Sequence, residues 1–296
     1  MLQRFVWVIP GLLFLLIIVL LALPQRRPLP TADDLKTALE QEQGKFQWFD
    51  ILPSIFPKDS PLSAFDGLPI PEGLDEGQQL SVMVDNIASA RAQHSGISEA
   101  SVVVEALAEG GITRLLTVFP YHNLSRVGPV RSARDYFLDF AEYFGGVFLH
   151  AGGSPAALAR LKAEQRIRDF DEDEGIFQQS YSFRDSRYTI PHNLFFDLLE
   201  ARRRAAALNY TFSKTLVNWC FDSSPAVGER VENISLRFST EDPYTGIFNY
   251  DAQRRVYKHF YGALSPLPHT DQGSGKQTAP VNVIVMISPS SLIEGD

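Results

Sequence analysis

Short apolar runs separated by glycine-containing turns occupy the middle of the chain, and this pattern is typical of β-strands. Leu80–Asn86 predicts a buried strand that ends in two polar residues. Ser101–Leu107 and Ile112–Phe119 flank the turn Ala108–Gly111, which predicts a β-hairpin. Gly146–His150 predicts one more strand. Together these segments predict a sheet.

Apolar residues at helical spacing predict three helices among these strands. The first begins at a capping box formed by Ser132 and Asp135. The second begins with Ser154 as N-cap and Pro155 in the first turn, and the third is amphipathic and spans Asn193–Leu208. We interpret the aromatic face of the first helix as core packing. The fold class predicted for this part is an α/β domain with a mixed sheet.

Beyond Asn209 the pattern changes to short alternating strands, which predicts a smaller, mostly-β domain. The predicted strands are Ile234–Phe238, Gly246–Tyr250, Val256–Tyr261 and Val281–Ile287.

The amino-terminal segment is the most apolar part of the chain. Phe5–Leu23 contains no charged residue and is long enough to cross a bilayer as a transmembrane helix. No A-x-A cleavage site follows, so we expect an uncleaved signal anchor with the body outside the cytoplasm. The charges on its two sides are nearly balanced and do not decide the orientation. The predicted organisation is a transmembrane anchor at 1–27, an extended stalk with a short helix at 28–78, the α/β domain at 79–208 and the β-rich domain at 209–296.

Composition narrows the classes of partner. Lys and Arg number 27 against 35 Asp and Glu, a formal net charge of −8. A surface this acidic disfavours nucleic acid and anionic lipid headgroups, so the arginines must act locally. Cys220 is the single cysteine, which excludes an intrachain disulfide, and we expect it to be buried.

An anion site is the first candidate chemistry. The turn His150–Ser154 directs backbone N–H groups at a helix N-terminus, where an anion is favoured. Arg131 and Arg134 flank Ser132 at another helix start, where cations oppose the helix dipole. They therefore need either a bound anion or an internal carboxylate. The candidate internal partners are Asp85, Glu105 and Glu109.

Other chemistries have less support. Ser154 could be a nucleophile after a strand, but the next residue, Pro155, has no N–H for an oxyanion hole. Glu105 and Glu109, with His150, could instead serve as acid and base on a glycan. Asp169–Glu174 lacks the glycine and glutamate of a calcium loop, and is expected to be a solvated loop. No metal or nucleotide motif is present, so no cofactor is expected.

Several strings together resemble the YerB-like family of bacterial envelope proteins, whose paired domains have no known function. The strings are Met83–Asn86, Glu105–Arg114, Gly128–Arg134, His150–Ser154, Pro191–Leu194, Tyr250–Asp251 and Asn282–Val285. The resemblance implies an extracytoplasmic, membrane-tethered protein, and many members are tethered by a lipid-modified cysteine. No cysteine lies near this amino terminus, so the apolar helix would be the tether. Relatives continue beyond the Asn282–Val285 strand, so the second domain is expected to be shortened or a fragment.

The function predicted from the sequence is a binding or interaction module, with an envelope glycan hydrolase or transferase as the alternative. The expected partners are the membrane, through the amino-terminal helix, and an anionic or glycan wall component or an envelope protein. The expected ligand-binding residues are Asp85, Asn86, Arg114, Arg131, Ser132, Arg134, His150, Gly152, Gly153, Ser154, His192 and Asn193.

Overall fold

The computed structural model describes residues 61–72, 74, 76–164, 166–172, 180–210, 215–217, 219–221 and 230–288. These residues belong to one compact unit. The predicted transmembrane anchor and most of the predicted stalk lie outside the described residues. No helix among the described residues has both the length and the apolar character needed to cross a membrane.

A five-stranded mixed sheet forms the centre of the unit, in the order β2-β3-β1-β4-β5. The hairpin β2–β3 pairs antiparallel to β1, whereas β4 and β5 run parallel to β1. The five strands are β1 (Leu80–Asp85), β2 (Val102–Leu107), β3 (Thr113–Phe119), β4 (Val147–His150) and β5 (Arg168–Asp171). The predicted hairpin and mixed sheet are confirmed.

Both faces of this sheet are covered, and every residue of β1 is buried. Val82 and Val84 point into one core cluster, and Met83 between them points into the other. This alternation is the period of two that a strand imposes on its side chains. The cluster around Met83 also contains Phe137 and Phe144 from the predicted aromatic helix face. The helices are α1 (Asp135–Phe144), α2 (Pro155–Glu164) and α3 (Leu198–Ala207).

Two smaller sheets complete the described part. A short hairpin pairs β6 with β7, and a four-stranded antiparallel sheet has the order β11-β10-β9-β8. The strands are β6 (Ser182–Arg184), β7 (Leu194–Phe196), β8 (Asn233–Arg237), β9 (Thr245–Asp251), β10 (Val256–Tyr261) and β11 (Leu267–Pro268). The predicted β-rich region after the α/β part is thus confirmed.

Two predicted helix starts are wrong. Arg134 is the N-cap of α1 and makes no side-chain cap bond, so the Ser132–Asp135 box does not form. The third helix begins at Leu198, where the Asp197 side chain accepts a hydrogen bond from the Glu200 N–H. The preceding residues, Leu194–Phe196, pair as β7, because a strand partner outweighs a helical pattern in a short apolar run. Ser154 is confirmed as an N-cap by its Oγ, 3.2 Å from the Ala157 nitrogen.

Three other expectations are also corrected. Asp169 and Asp171 belong to β5 with Phe170 buried between them, so their alternation is that of a strand. Val281–Ile287 forms no strand, and Ile287 is 96% exposed. Cys220 is exposed, next to an equally exposed Phe221. In all three cases the outcome depends on whether another segment of the chain pairs with or packs against these residues, and the local sequence pattern does not show this.

Candidate functional site

A small open pocket lies beside the carboxyl ends of β1 and β4. Its volume is about 110 Å³. Arg131, Ser132 and Arg184 supply its polar wall. Its apolar lining is formed by Val130, Ala151, Pro191 and Leu194.

Pairing of the chain on both sides of the pocket brings these residues together. Val130 N–H donates to the Leu194 carbonyl, and Leu194 is the register partner of Arg184 in the β6–β7 hairpin. Arg131 N–H donates to the Met83 carbonyl, which fixes the segment against β1. The two arginines are far apart in sequence and meet because one segment pairs with both β1 and β7.

Arg131 is incompletely satisfied by the protein. Its Nε lies 3.3 Å from Asp85 Oδ2, close enough for an ion pair but without hydrogen-bond geometry. The same carboxylate oxygen accepts a hydrogen bond from His192 Nδ1 at 2.6 Å. The Asp85 side chain is 5% exposed, whereas that of Arg131 is 27% exposed. Asp85 thus holds Arg131 at the pocket, and the Arg131 side chain stays partly accessible.

Arg184 has no carboxylate partner within the described part of the chain. Its Nη1 donates to the side-chain oxygen of Asn193 at 2.9 Å, and the residue is exposed. An amide orients a guanidinium but does not neutralise it. The pocket therefore carries a cation whose charge the nearby side chains leave uncompensated.

The other two predicted arginines are structural. Arg114 Nη2 lies 2.5 Å from Glu109 Oε1, and Arg134 Nη2 lies 2.8 Å from Glu109 Oε2. Arg114 also donates to the Ser132 carbonyl. Burial lowers the pKa of Arg114 to about 10. Burial opposes ionisation of Glu109, but Arg114 and Arg134 bring its pKa below the ordinary value. Glu109 is therefore a shared counter-ion, and its two oxygens are engaged.

Backbone N–H groups of the turn His150–Ser154 also donate to acceptors within the protein itself. Gly152 N–H donates to Asp171 Oδ1 at 2.6 Å, and Ser154 N–H donates to the Ala133 carbonyl at 3.1 Å. Gly153 forms an isolated bridge with Ala133. These contacts seat the turn against the segment that carries Arg131, so the turn supports the pocket. Its Gly152 and Ser154 N–H groups are directed at protein oxygens.

His150 is fully buried between two acceptors. Its Nδ1 lies 2.9 Å from the Gly152 carbonyl oxygen, and its Nε2 lies 3.1 Å from Asp169 Oδ2. His150 consequently links β4 to β5 and does not line the pocket.

Asn86 and Glu105 lie in a separate polar cluster, where the five-stranded sheet contacts the four-stranded sheet. Asn86 Nδ2 is 2.9 Å from Glu105 Oε1, 2.7 Å from Thr113 Oγ1 and 2.9 Å from the Tyr261 hydroxyl. The guanidinium of Arg91 stacks 3.5 Å from the centre of the Tyr261 ring. Burial raises the pKa of Glu105, against the opposing effect of its hydrogen bond from Thr113. This cluster joins the two sheets.

Three buried histidines extend this contact between the two sheets. His94 Nδ1 lies 2.7 Å from His269 Nε2, and His269 Nδ1 lies 3.0 Å from His259 Nδ1. Burial lowers the pKa of His94 to about 4 and that of His259 to about 3, and it holds the pKa of His269 well below the ordinary value. These rings, and Arg184 in the pocket, were not among the residues predicted from the sequence. Only tertiary pairing brings them together, and no local motif marks them.

Comparisons with known proteins show which proteins the chain resembles. Residues 65–211 match the family described as protein of unknown function (DUF3048), N-terminal domain. The putative lipoprotein YerB of Bacillus subtilis (strain 168) is 30% identical over 234 residues, which are 78% of this chain and 68% of that protein. The crystal structure of the YerB protein from Bacillus subtilis has 28% sequence identity and a TM-score of 0.62, covering 74% of this chain and 72% of the other.

Proposed function

Because the chain belongs to the YerB-like family with a DUF3048 domain, we propose that it is an extracytoplasmic envelope protein that binds an anionic group through Arg131 and Arg184. One observation carries this proposal: Arg184 lines the pocket beside Arg131 with an amide as its polar partner. Asn193 orients Arg184, and Asp85 with His192 orients Arg131. Preorganised guanidiniums are the usual recognition groups for carboxylates and phosphates.

The charge of the whole molecule supports a local site. The net charge is −8, so anions meet repulsion over most of the surface and attraction at the pocket. Such a molecule does not bind a long polyanion such as a nucleic acid. A single anionic group presented by a wall polymer, a glycan or an envelope protein fits the arrangement better.

The proposed location rests on the amino terminus and on the relative. Phe5–Leu23 has the length and composition of a membrane-spanning helix. The Bacillus subtilis relative is named a putative lipoprotein. The present chain has Cys220 as its single cysteine, so we propose that the apolar segment replaces a lipid as the tether.

Cosedimentation with isolated bacterial cell-wall material tests the binding function. We expect Arg184→Glu in the full chain to reduce the bound fraction at least tenfold at low salt, because the substitution reverses the charge that the anion meets. Arg187→Glu is the matched control, since Arg187 is 73% exposed on the same segment and pairs with Asp185 outside the pocket. Equal binding by the wild type and Arg184→Glu would show that the pocket is not the binding site.

A further inference from the structure

The pocket selects among anions by its charge, its size and its shape. We propose that it takes a singly charged carboxylate carried on a small carbon group, presented as the end of a larger molecule. This inference rests on the proposed function of the same pocket and names the chemical class of its ligand.

The charges around the pocket favour a monoanion. Arg131 and Arg184 contribute two positive charges, and Asp85, 3.3 Å from Arg131, contributes one negative charge. Asp85 thus pairs with Arg131 within the protein, which leaves Arg184 as the lining cation without a carboxylate partner in the described residues, and one carboxylate neutralises it. A phosphate group carries about −1.5 to −2 at neutral pH, which is more than the single charge of Arg184 neutralises. The Asp85 carboxylate on Arg131 repels the excess negative charge.

The size of the pocket limits what can enter. Its volume is about 110 Å³. Sites that enclose a whole drug-sized ligand have volumes of about 300 Å³ or more. The pocket therefore suits a small group, such as a carboxylate with its attached carbon, and the rest of a larger molecule lies outside it.

The lining matches a planar group with an apolar side. A carboxylate presents two oxygens in the plane of a guanidinium fork, and Arg131, Arg184 and Ser132 line this pocket. Pro191 and Ala151 line the remaining wall and can contact the attached carbon. A peptide carboxyl terminus and an acidic sugar share this chemistry.

Titration calorimetry on the full chain in mild detergent tests the inference at constant ionic strength and pH 7.5. The probes are acetate, propionate, N-acetylalanine, N-acetylalanine amide, glucuronate and inorganic phosphate. We expect the carboxylates to bind at least tenfold more tightly than phosphate, and the neutral amide not to bind. Arg184→Gln should abolish the signal, and Arg187→Gln should leave it unchanged.

The outcomes separate this inference from the proposed function. Phosphate binding as tightly as the carboxylates, still dependent on Arg184, would overturn the carboxylate assignment and retain an anion pocket. Absence of binding by every anion, or binding unaffected by Arg184→Gln, would overturn both. Tighter binding of N-acetylalanine than of glucuronate would support the assignment with a peptide terminus as the source, and the reverse order would support it with an acidic sugar.

Discussion

Nε2 of His94 lies 2.6 Å from the backbone carbonyl oxygen of Asp85, and this contact sets the protonation pattern of three rings. The carbonyl only accepts, so His94 carries its proton on Nε2 and accepts at Nδ1. His269 then donates from Nε2 and accepts at Nδ1 from His259. The remaining nitrogen of His259 is a bare acceptor, in agreement with its lack of a hydrogen-bond partner.

We predict that the protein loses stability as the pH falls from about 6.5 towards 5. The folded pKa values of His94, His259 and His269 are lowered, so the unfolded state binds more protons and stability rises with pH. For His94 alone, a pKa of about 4 instead of 6.5 corresponds to about 2 kcal/mol at pH 5 and to about 3 kcal/mol at pH 4 and below. Glu105, with a raised pKa, acts in the opposite direction but exchanges at most one proton. Urea unfolding across this pH range measures the balance.

His259→Phe provides the comparison for this pH dependence. Phenylalanine keeps the stacking on Phe248, whose ring centre is 4.2 Å from that of His259. Removal of one titrating ring should reduce the slope of unfolding free energy against pH by up to about 1.4 kcal/mol per pH unit. A slope identical to that of the wild type would contradict the neutral histidine chain.

We predict opposite pH trends for Glu105→Gln and Glu109→Gln. The pKa of Glu105 is raised by burial, so ionisation costs stability as the pH rises and glutamine avoids that cost. Glu105→Gln should therefore gain stability relative to the wild type between pH 5 and 8. The pKa of Glu109 is lowered by Arg114 and Arg134, so its charge stabilises the fold above pH 4.5 and glutamine loses that contribution.

Urea unfolding of both variants at pH 4, 5 and 8 checks these trends, because the Glu109 contribution changes below about pH 4.5 and the Glu105 contribution changes above it. Glu105→Ala serves as a third variant, because it leaves the Asn86 amide and the Thr113 hydroxyl without a common acceptor. We expect it to cost about 2 kcal/mol at pH 5, where the glutamine variant is close to the wild type. The same pH trend in both glutamine variants would contradict the assigned environments.

The central sheet could be predicted from the sequence because its signals are local. Leu80–Val84 is a short, mostly apolar run, and the β2–β3 hairpin has its glycines in the turn, where Gly110 and Gly111 adopt φ of 63° and 76°. Asp85, at the end of β1, is one of the carboxylates predicted as partners of the arginines, and it lies 3.3 Å from Arg131. In these elements the residues that determine the structure are neighbours in the chain.

The histidine contacts between the two sheets and the position of Arg184 in the pocket could not be predicted in this way. His94 and His269 are separated by 175 positions, and no local sequence pattern at either residue predicts the contact. Arg184 ends a strand of three residues, which is too short to show a period. The Val281–Ile287 pattern is strongly β-like, yet a strand also requires a partner, and none pairs with it within the described part.

We predict that the arginines divide by their effect on stability. Arg114 is 4% exposed and pairs with the half-exposed Glu109, so Arg114→Ala removes this ion pair and the hydrogen bond to the Ser132 carbonyl and should cost about 2 kcal/mol. Arg184→Ala removes an exposed side chain without an ion pair and should change stability by less than about 0.5 kcal/mol. Arg131→Ala should cost about 1 kcal/mol, because Asp85 keeps its bond from His192. Chemical unfolding without ligand measures all three, and a large loss for Arg184→Ala would mean that this arginine is structural.

The last prediction concerns Asp271, which fastens the loop after β11 to the α/β part. It is fully buried: its Oδ2 accepts from the Ser98 N–H at 2.9 Å, and its Oδ1 accepts from the N–H groups of Gly273 and Ser274. Asp271→Ala leaves three N–H groups without an acceptor, and each costs about 1 kcal/mol or more. We therefore expect a loss of about 3 kcal/mol and faster amide hydrogen exchange in residues 267–278. Asp242→Ala is the control, because the Asp242 carboxylate also accepts from two N–H groups, but at the exposed surface. Exchange that stays slow in Asp271→Ala would show that the four-stranded sheet is held by the histidines and Tyr261 without this carboxylate.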